Sequence, residues 1–486
     1  MFPIIVLFIL IILLAVPAVR AQASESAVYT TTMTYDFQNV GSNQAVNARA
    51  TIYLFGKVTG WGNQEVISES ITVNGEKVAP QIFETADNRW TQISLDNFSP
   101  GQTKTVKVVQ VLKVSAVNLN ISPNNVGTTI PAELMVYTQP VARLYESNDP
   151  SIQALAKQVS DTSNLYQKAK QLFNLVLESP DNKEHLRYER QPGVEHSALW
   201  GLQNKVGDCT EFSNLFVALL RAAGIPAKSV SGFAYLPLYN PTGDVMDAET
   251  LGHAYSIFYL PNYGWVPADA VWPRYIGSFG ELDYAHIAGA STGGESAFGK
   301  DGISWPGPGK FNWNWQAYSG QNTDLSGSWS GTIIPEILVN VSLQPSSQIQ
   351  DGTLGVTVTI KNMGRSEAKD LVAQLKPDDK YFEVTTEPQR KASLASQNQW
   401  VTNFNLKVKE AAYGTTQTLV SEVTFNSSDG SVSGNFLAIA RTQLPIAAKP
   451  TTTPPGQLPM DNTMLFVLIG VVAVVVVVIA VVVKRR

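Results

Sequence analysis

From Ala27 to Val141 apolar and polar residues alternate in short runs, among them ATIYLFGKV, EVISESITV, KTVKVVQVLKV and AELMVYTQ, punctuated by Asn, Gly, Pro and Asp. A period of two interrupted by turn residues predicts antiparallel strands, so residues 24–143 are expected to form a β-sandwich-like domain. The period changes at Asn148. In PSIQALAKQVSDTSNLYQKAKQLFNLVLES, Ile152, Leu155, Ala156 and Val159 fall on one helical face, and Leu165, Ala169, Leu172, Phe173 and Val176 on another, which predicts two helices. A third helical pattern lies within Val206 to Ala227, VGDCTEFSNLFVALLRAAGIPA, where Phe212, Leu215, Phe216, Leu219, Leu220 and Ala223 recur at helical spacing. Gly224 is placed to cap that helix and Pro226 prevents its continuation. Asp208 and Glu211 have the spacing of a capping box at its start. Cys209 is therefore expected in the first turn of a buried helix.

Beyond it, KSVSGFAYLP and HAYSIFYLPNYGWVPADAVW read as strands, the latter two joined by a short turn. Helices followed by strands around one core predict an α+β domain over residues 144–330, with its core at 148–273. Residues 289–330 are rich in Gly, Ser and Trp and show no clear period. Alternation returns in ILVNVSLQ, LGVTVTIKNMG and TLVSEVTF, predicting a second β-sandwich over 331–447, and GVTVTIKNMGRSEAKD resembles adhesion-type immunoglobulin-like modules of microbial surface proteins.

The two ends change the picture. MFPIIVLFILIILLAVPAVRA followed by small residues reads as a signal peptide over 1–23. Residues 448–463 contain the stiff spacer KPTTTPPGQLP. Residues 464–483 carry no charge and are long enough to cross a hydrocarbon core of ~30 Å, and Lys484, Arg485 and Arg486 follow at once. Because basic residues stay on the cytoplasmic side, the expectation is a single-pass type I protein of the cell membrane, held by a C-terminal helix, with a cytoplasmic tail at 484–486 and everything else extracellular. A net charge of −5 with 15% charged residues offers no basic patch and argues against nucleic acid as a partner. Asn97, Asn120, Asn340 and Asn426 each begin an Asn-x-Ser triplet open to glycosylation outside the membrane. Cys209 is the only cysteine, so no internal disulfide forms and buried cores must supply the stability.

A thiolate attacks carbonyls far better than a thiol, and the first turn of a helix favours negative charge. Asp208 and Glu211 oppose it there, so a histidine partner is required. The chain has His185, His196, His253 and His286. His253 opens the strand GHAYSIFYL and Asp269 ends the strand GWVPAD, which suits a base oriented by a carboxylate. In a regular hairpin the two share a face only if the connecting loop has an odd number of residues, and direct pairing would centre the turn on Pro261. His185, His196 and His286 are read as surface or structural, and no His/Cys cluster has zinc spacing. Asp244, Asp247 and Glu249 lack the regular spacing of a calcium loop and are read as solvated. Trp200, Trp305, Trp313 and Trp315 are read as packing residues rather than as cleft walls or sugar platforms.

GDCTEFSNLFVALLRAAGIPAK, GHAYSIFYL and GWVPADAVW, in this order, resemble the transglutaminase-like superfamily, a papain-like cysteine fold, over about Asn148 to Pro273. The resemblance implies that Cys209 is the nucleophile, His253 the general base and acid, and Asp269 the residue that orients the histidine. It implies acyl transfer or hydrolysis at amide bonds of proteins or peptides at the cell surface, through a thioester; no cofactor and no metal ligand is assigned, and a calcium requirement stays open. Cross-linking, deamidation and proteolysis all remain open at the level of the fold. Tyr255, Lys228 and Ala270 depart from the family pattern without removing a catalytic group. The expected fold class is thus multidomain, a papain-like/transglutaminase-like α+β core flanked by β-sandwich domains with a C-terminal transmembrane helix. The alternative function is a non-catalytic surface scaffold or binding protein.

Overall fold

A computed structural model describes residues 24–84, 88–159, 162–178, 186–191, 196–235, 246–247, 251–272, 277–292, 316–321 and 324–449. The long first strand, Ser24–Asn39, pairs antiparallel with Thr103–Ser115 on one side and with Leu325–Ile337 on the other. A second sheet of Ala45–Leu54, Arg89–Phe98 and Gln316–Gln321 completes the first sandwich. Tyr29, Tyr35, Phe37, Phe55 and Phe98 are buried between the layers. Residues 316–337 thus return to close this sandwich. Their strands are hard to read in sequence because LSGSWSGTIIPEI places small residues at outward positions, although burial alternates along it. The second sandwich contains Thr353–Asn362 between Val339–Gln350 and Gln399–Val408, and a facing sheet built on Ala368–Leu375, Thr416–Ser428 and Ser433–Pro445.

The two sandwiches join directly where Ser24 and Glu25 pair with Phe436 and Leu437, and between them along the chain comes the unit that holds the single cysteine. Its helices are α1 (Pro150–Ala156), α2 (Leu165–Val176), α3 (Ala198–Asn204) and α4 (Cys209–Ala222). Its sheet contains β1 (Ala227–Ala234), β2 (Gly252–Leu260), β3 (Gly264–Asp269), β4 (Ser278–Phe279) and β5 (His286–Thr292), in the order β4-β3-β2-β1-β5. The apolar spacing predicted for the helices lies inside: Ile152, Leu155, Ala169, Leu172, Phe173 and Val176 are all buried. Helix α4 is buried on all sides from Phe212 to Leu220, because the sheet covers one face and α1, α2 and α3 cover the rest. Its buried polar residues are therefore paired: Ser213 Oγ lies 2.9 Å from Ser256 Oγ, and Asn214 Nδ2 donates to the His196 carbonyl at 2.9 Å.

Arg221 closes the far end of α4. Its guanidinium donates to the Ala227 carbonyl at 3.0 and 2.8 Å and to the Gln139 carbonyl at 2.7 Å, tying the helix to the start of β1 and to the segment before α1. Burial pulls its pKa down to about 10. Lys228, buried one residue into β1, lies 4.2 Å from the ring centre of Trp265 and 4.7 Å from that of Tyr137.

The expected fold class needs correction. Among the described residues the structure is mostly strand, 54%, with few helices, and none of those helices is long and apolar enough to cross a membrane. The transglutaminase-like core fits, but a C-terminal transmembrane helix is not supported. The physical limit is length: α4 has 14 residues, which at ~1.5 Å per residue falls short of a ~30 Å hydrocarbon layer. Residues 464–483, like the proposed signal peptide at 1–23 and the tail at 484–486, lie outside the described residues. So do His185, Trp305, Trp313, Trp315 and the side chains of Asp244, Asp247 and Glu249.

Candidate active site

Cys209 is the first residue of α4, with Asp208 as its N-cap. Asp208 Oδ1 accepts the Thr210 amide at 3.0 Å, and the predicted capping box forms, with Glu211 Oε2 accepting the Asp208 amide at 2.8 Å. The other Glu211 oxygen accepts the His196 amide at 2.8 Å. Gly207 is what lets Glu211 fold back in this way, since a Cβ there would lie 2.3 Å from the Glu211 Cβ. Burial, and then the charge of Asp208, push the Glu211 pKa up to about 7. Near neutrality Glu211 therefore carries only part of a negative charge, which lessens its opposition to a thiolate. The thiol itself is half-buried, with Sγ 3.9 Å from Asp208 Oδ1.

His253 and Asp269 meet as the strand order requires. Leu260 pairs with Gly264 and Ser256 with Ala268, so the turn is centred on Asn262, which has φ +74°, one residue beyond the Pro261 expected for direct pairing. The loop keeps an odd number of residues. Extending that register sets Asp269 opposite Tyr255, on the face that His253 shares two residues earlier, and makes His253 its diagonal neighbour. His253 Nε2 lies 2.7 Å from Asp269 Oδ2, and both side chains are buried. On its other side His253 is close enough to Cys209 for the two to interact electrostatically. With Nε2 engaged by Asp269, Nδ1 is the nitrogen left for the thiol. Burial disfavours the imidazolium of His253, but the Asp269 carboxylate, followed by Cys209, outweighs it and pushes the pKa up to about 9. Burial opposes ionisation of Asp269 too, and its histidine partners reverse this, holding it below the usual carboxylate range.

A second histidine, which the sequence reading set aside as surface or structural, belongs to this cluster. His286 Nε2 lies 3.1 Å from Asp269 Oδ2, and its Nδ1 lies 2.8 Å from Asp283 Oδ1. The remaining oxygens are also engaged: Asp269 Oδ1 accepts the Val271 amide, and Asp283 Oδ2 accepts Trp272 Nε1, each at 2.9 Å. His286 opens β5, the strand that returns beside β1, and the pairing shifts by a bulge at Ser231/Gly232. Gly232 permits this close approach, because a Cβ there would lie 2.1 Å from the Ile287 carbonyl oxygen. The available signal was an Asp three residues before a His that opens an apolar run, DYAHIAGA, much as His253 opens its own strand. Trp200 is half-buried rather than a core residue, with the His196 ring stacked on it at 3.5 Å.

His253, Asp269 and His286 each offer a ligand atom, all within 4.8 Å of one another, and form the one such group among the described residues. Their mutual distances of 2.7 and 3.1 Å are those of hydrogen bonds, and a cation would have to displace both. The arrangement is that of a thiol at a helix start, a histidine facing it and a buried carboxylate behind.

The family model of the transglutaminase-like superfamily matches residues 153–270, and this stretch is a transglutaminase-like domain. An uncharacterized protein of Bacillus subtilis, YebA, is 37% identical over 68 residues, 13% of this chain and 9% of that protein. An uncharacterized protein of Haemophilus influenzae is 34% identical over 76 residues, 13% of this chain and 21% of that protein. The chain thus spans 9% and 21% of the length of these two curated relatives. A crystal structure described as "a Putative Cysteine Protease from Cytophaga hutchinsonii" aligns over 65% of this chain and 92% of its own, at 16% identity and a TM-score of 0.42.

Proposed function

We propose that this chain is a thiol-dependent enzyme of the transglutaminase-like class, in which Cys209, His253 and Asp269 cleave or exchange amide bonds of proteins or peptides through a thioester. The observation that carries the proposal is the hydrogen bond from His253 to the buried Asp269, with Cys209 at the start of α4 close enough to His253 for the two to interact electrostatically. A histidine held in this way on the only cysteine of the chain has no evident packing purpose, since a buried ionised pair contributes little to stability by itself.

In the first half-reaction Cys209 Sγ, its proton moved to His253 Nδ1, attacks the amide carbonyl carbon. Asp208 accepts the amides of Thr210 and Glu211, and the Cys209 amide has no acceptor among the described residues, which suits it to receive the developing oxyanion. The C–N bond breaks as His253 returns the proton to the departing nitrogen, leaving an acyl group on sulfur. In the second half-reaction water or an amine gives its proton to His253 and attacks the thioester, and the C–S bond breaks with the proton returning to sulfur. Asp269 keeps the imidazole in the orientation that serves both steps.

The test is incubation of the chain with a glutamine-rich protein such as casein, with and without an added primary amine, followed by mass spectrometry. Deamidation, amine incorporation or backbone cleavage that disappears in Cys209→Ala would support the proposal. A native chain that leaves both the substrate and its own thiol unacylated would refute it.

A further inference from the structure

The row of charges does not stop at Asp269. Asp269 Oδ2 is shared between His253 at 2.7 Å and His286 at 3.1 Å, and the other nitrogen of His286 faces Asp283 at 2.8 Å. An ionised carboxylate only accepts hydrogen bonds. Two carboxylates, one on each ring nitrogen, therefore require both nitrogens of His286 to donate, and the ring is an imidazolium. Its side chain is 1% exposed, so this positive charge sits out of water between two negative ones.

We infer that His286 is a positioning residue: as a buried imidazolium clamped between Asp269 and Asp283, it fixes the Asp269 carboxylate on His253 and withdraws part of that carboxylate's charge from it. The inference deepens the proposed triad and rests on that reading. Its consequence concerns how tightly His253 holds its proton. With Asp269 unshared, the imidazolium of His253 would be held too firmly to give its proton back to a leaving amine. With His286 drawing on the same oxygen, and its ring centre only 5.4 Å from that of His253, the proton is released more readily. Geometry alone keeps the arrangement in place. Trp272 packs against both histidine rings at 5.8 and 5.2 Å and donates to Asp283, while Tyr255 lies edge-on to His286 at 5.3 Å.

The titratable groups facing the two histidines are Cys209 from the start of α4, with Asp208 beside it, Tyr255 from β2, Asp269 from β3 and Asp283 from the turn before β5. Glu25 of the first sandwich lies beyond Asp283. Only His286 among them adds positive charge beside His253. Its own pKa, lowered by burial but raised further by Asp283 and Asp269, stands at about 10.

The experiment is a pH titration of histidine ring carbons by NMR in the full chain labelled at histidine, whose four residues are assigned by single replacements. In the native chain His286 is expected to remain charged throughout neutral pH and His253 to titrate near 9. In His286→Gln the His253 midpoint is expected to rise by about one unit, and the rate of acyl transfer at neutral pH to fall about 10- to 100-fold, as for other outer partners of a site. Asp283→Asn, at the solvent edge of the cluster, supplies the second variant should the first fail to fold, with the same direction of shift and a smaller size. A neutral His286 at pH 7, or an unmoved His253 midpoint in the folded variants, overturns the inference while leaving the triad standing. Failure of the triad itself is seen separately, as thiol reactivity that ignores His253→Ala.

Discussion

The second sandwich and the cysteine-bearing unit solve opposite burial problems. In the sandwich, Thr353–Asn362 alternates strictly between inward and half-exposed positions, with Leu354, Val356, Val358 and Ile360 in the core. In the other unit, Gly252–Leu260 is buried at nearly every position: Phe258 and Leu260 pack with the helices, and Tyr255 and Ile257 pack on the opposite side with Val58 and Trp61. A strand with one wet face can send its polar groups to water. A strand covered on both faces has to pair them, and paired, desolvated ionisable groups are where proton chemistry becomes possible. The buried polar residues of the sandwich, Asn362, Thr402, Ser421 and Ser427, do not titrate, whereas those of the other unit include His253, Asp269, His286 and Glu211.

Substitutions separate the two regions most sharply. Cys209→Ala or His253→Ala is expected to lower acyl transfer at least about a thousandfold, measured as product formation, with the fold preserved by circular dichroism. Asp269→Ala is expected to do both kinds of damage, since it misorients His253 and leaves His286 charged beside a lost partner. Its stability cost should reach about 3–5 kcal/mol by denaturant unfolding. Ile360→Ala in the sandwich core should cost about 2–5 kcal/mol and leave the reactivity of Cys209 unchanged. Loss of thiol reactivity in that variant would break the comparison.

A pH series sharpens it further. His253 and His286 have folded pKa values raised to about 9 and 10, above the ordinary 6.5, so the stability they contribute is complete below 6.5 and is lost as pH rises through 9 to 10. Asp269 is shifted down, so its contribution is present above the ordinary 3.8 and is lost as pH falls through its lowered value. Hydrogen exchange should therefore show the strands of the cysteine-bearing unit opening at alkaline pH before those of the second sandwich. The smallest expected effect is at Tyr255, whose buried hydroxyl has no hydrogen-bond partner among the described residues. Tyr255→Phe should raise stability by about 1 kcal/mol in denaturant unfolding, with no loss of thiol reactivity.

The difference between the regions also explains what the sequence discloses. Local signals place Cys209 correctly: Asp208 caps the helix, Glu211 closes the capping box, and Gly224 at φ +78° follows the last turn. Alternation and the odd-length turn bring His253 and Asp269 to one face, although the turn is centred one residue later than direct pairing would need. For His286 the local signal of Asp283 three residues earlier does not by itself point to the site, because β5 reaches it only through its pairing with β1, more than fifty residues earlier in the chain. The return of Leu325–Ile337 to the first strand is equally non-local, and the Gly and Ser residues in it mute the alternation that would mark a strand. The transmembrane reading of 464–483 falls outside the described residues, among which no helix is long and apolar enough to cross a membrane.

The central claim is that His253 activates Cys209. Because Cys209 is the only thiol, its alkylation by iodoacetamide reports one site. At pH 6 a free thiol with a pKa of ~8.5 is almost wholly protonated. The account predicts that the native chain at pH 6 reacts at least tenfold faster than free cysteine and that His253→Ala abolishes this advantage. A Cys209 that reacts no faster than free cysteine, with a rate unchanged in His253→Ala, would contradict it.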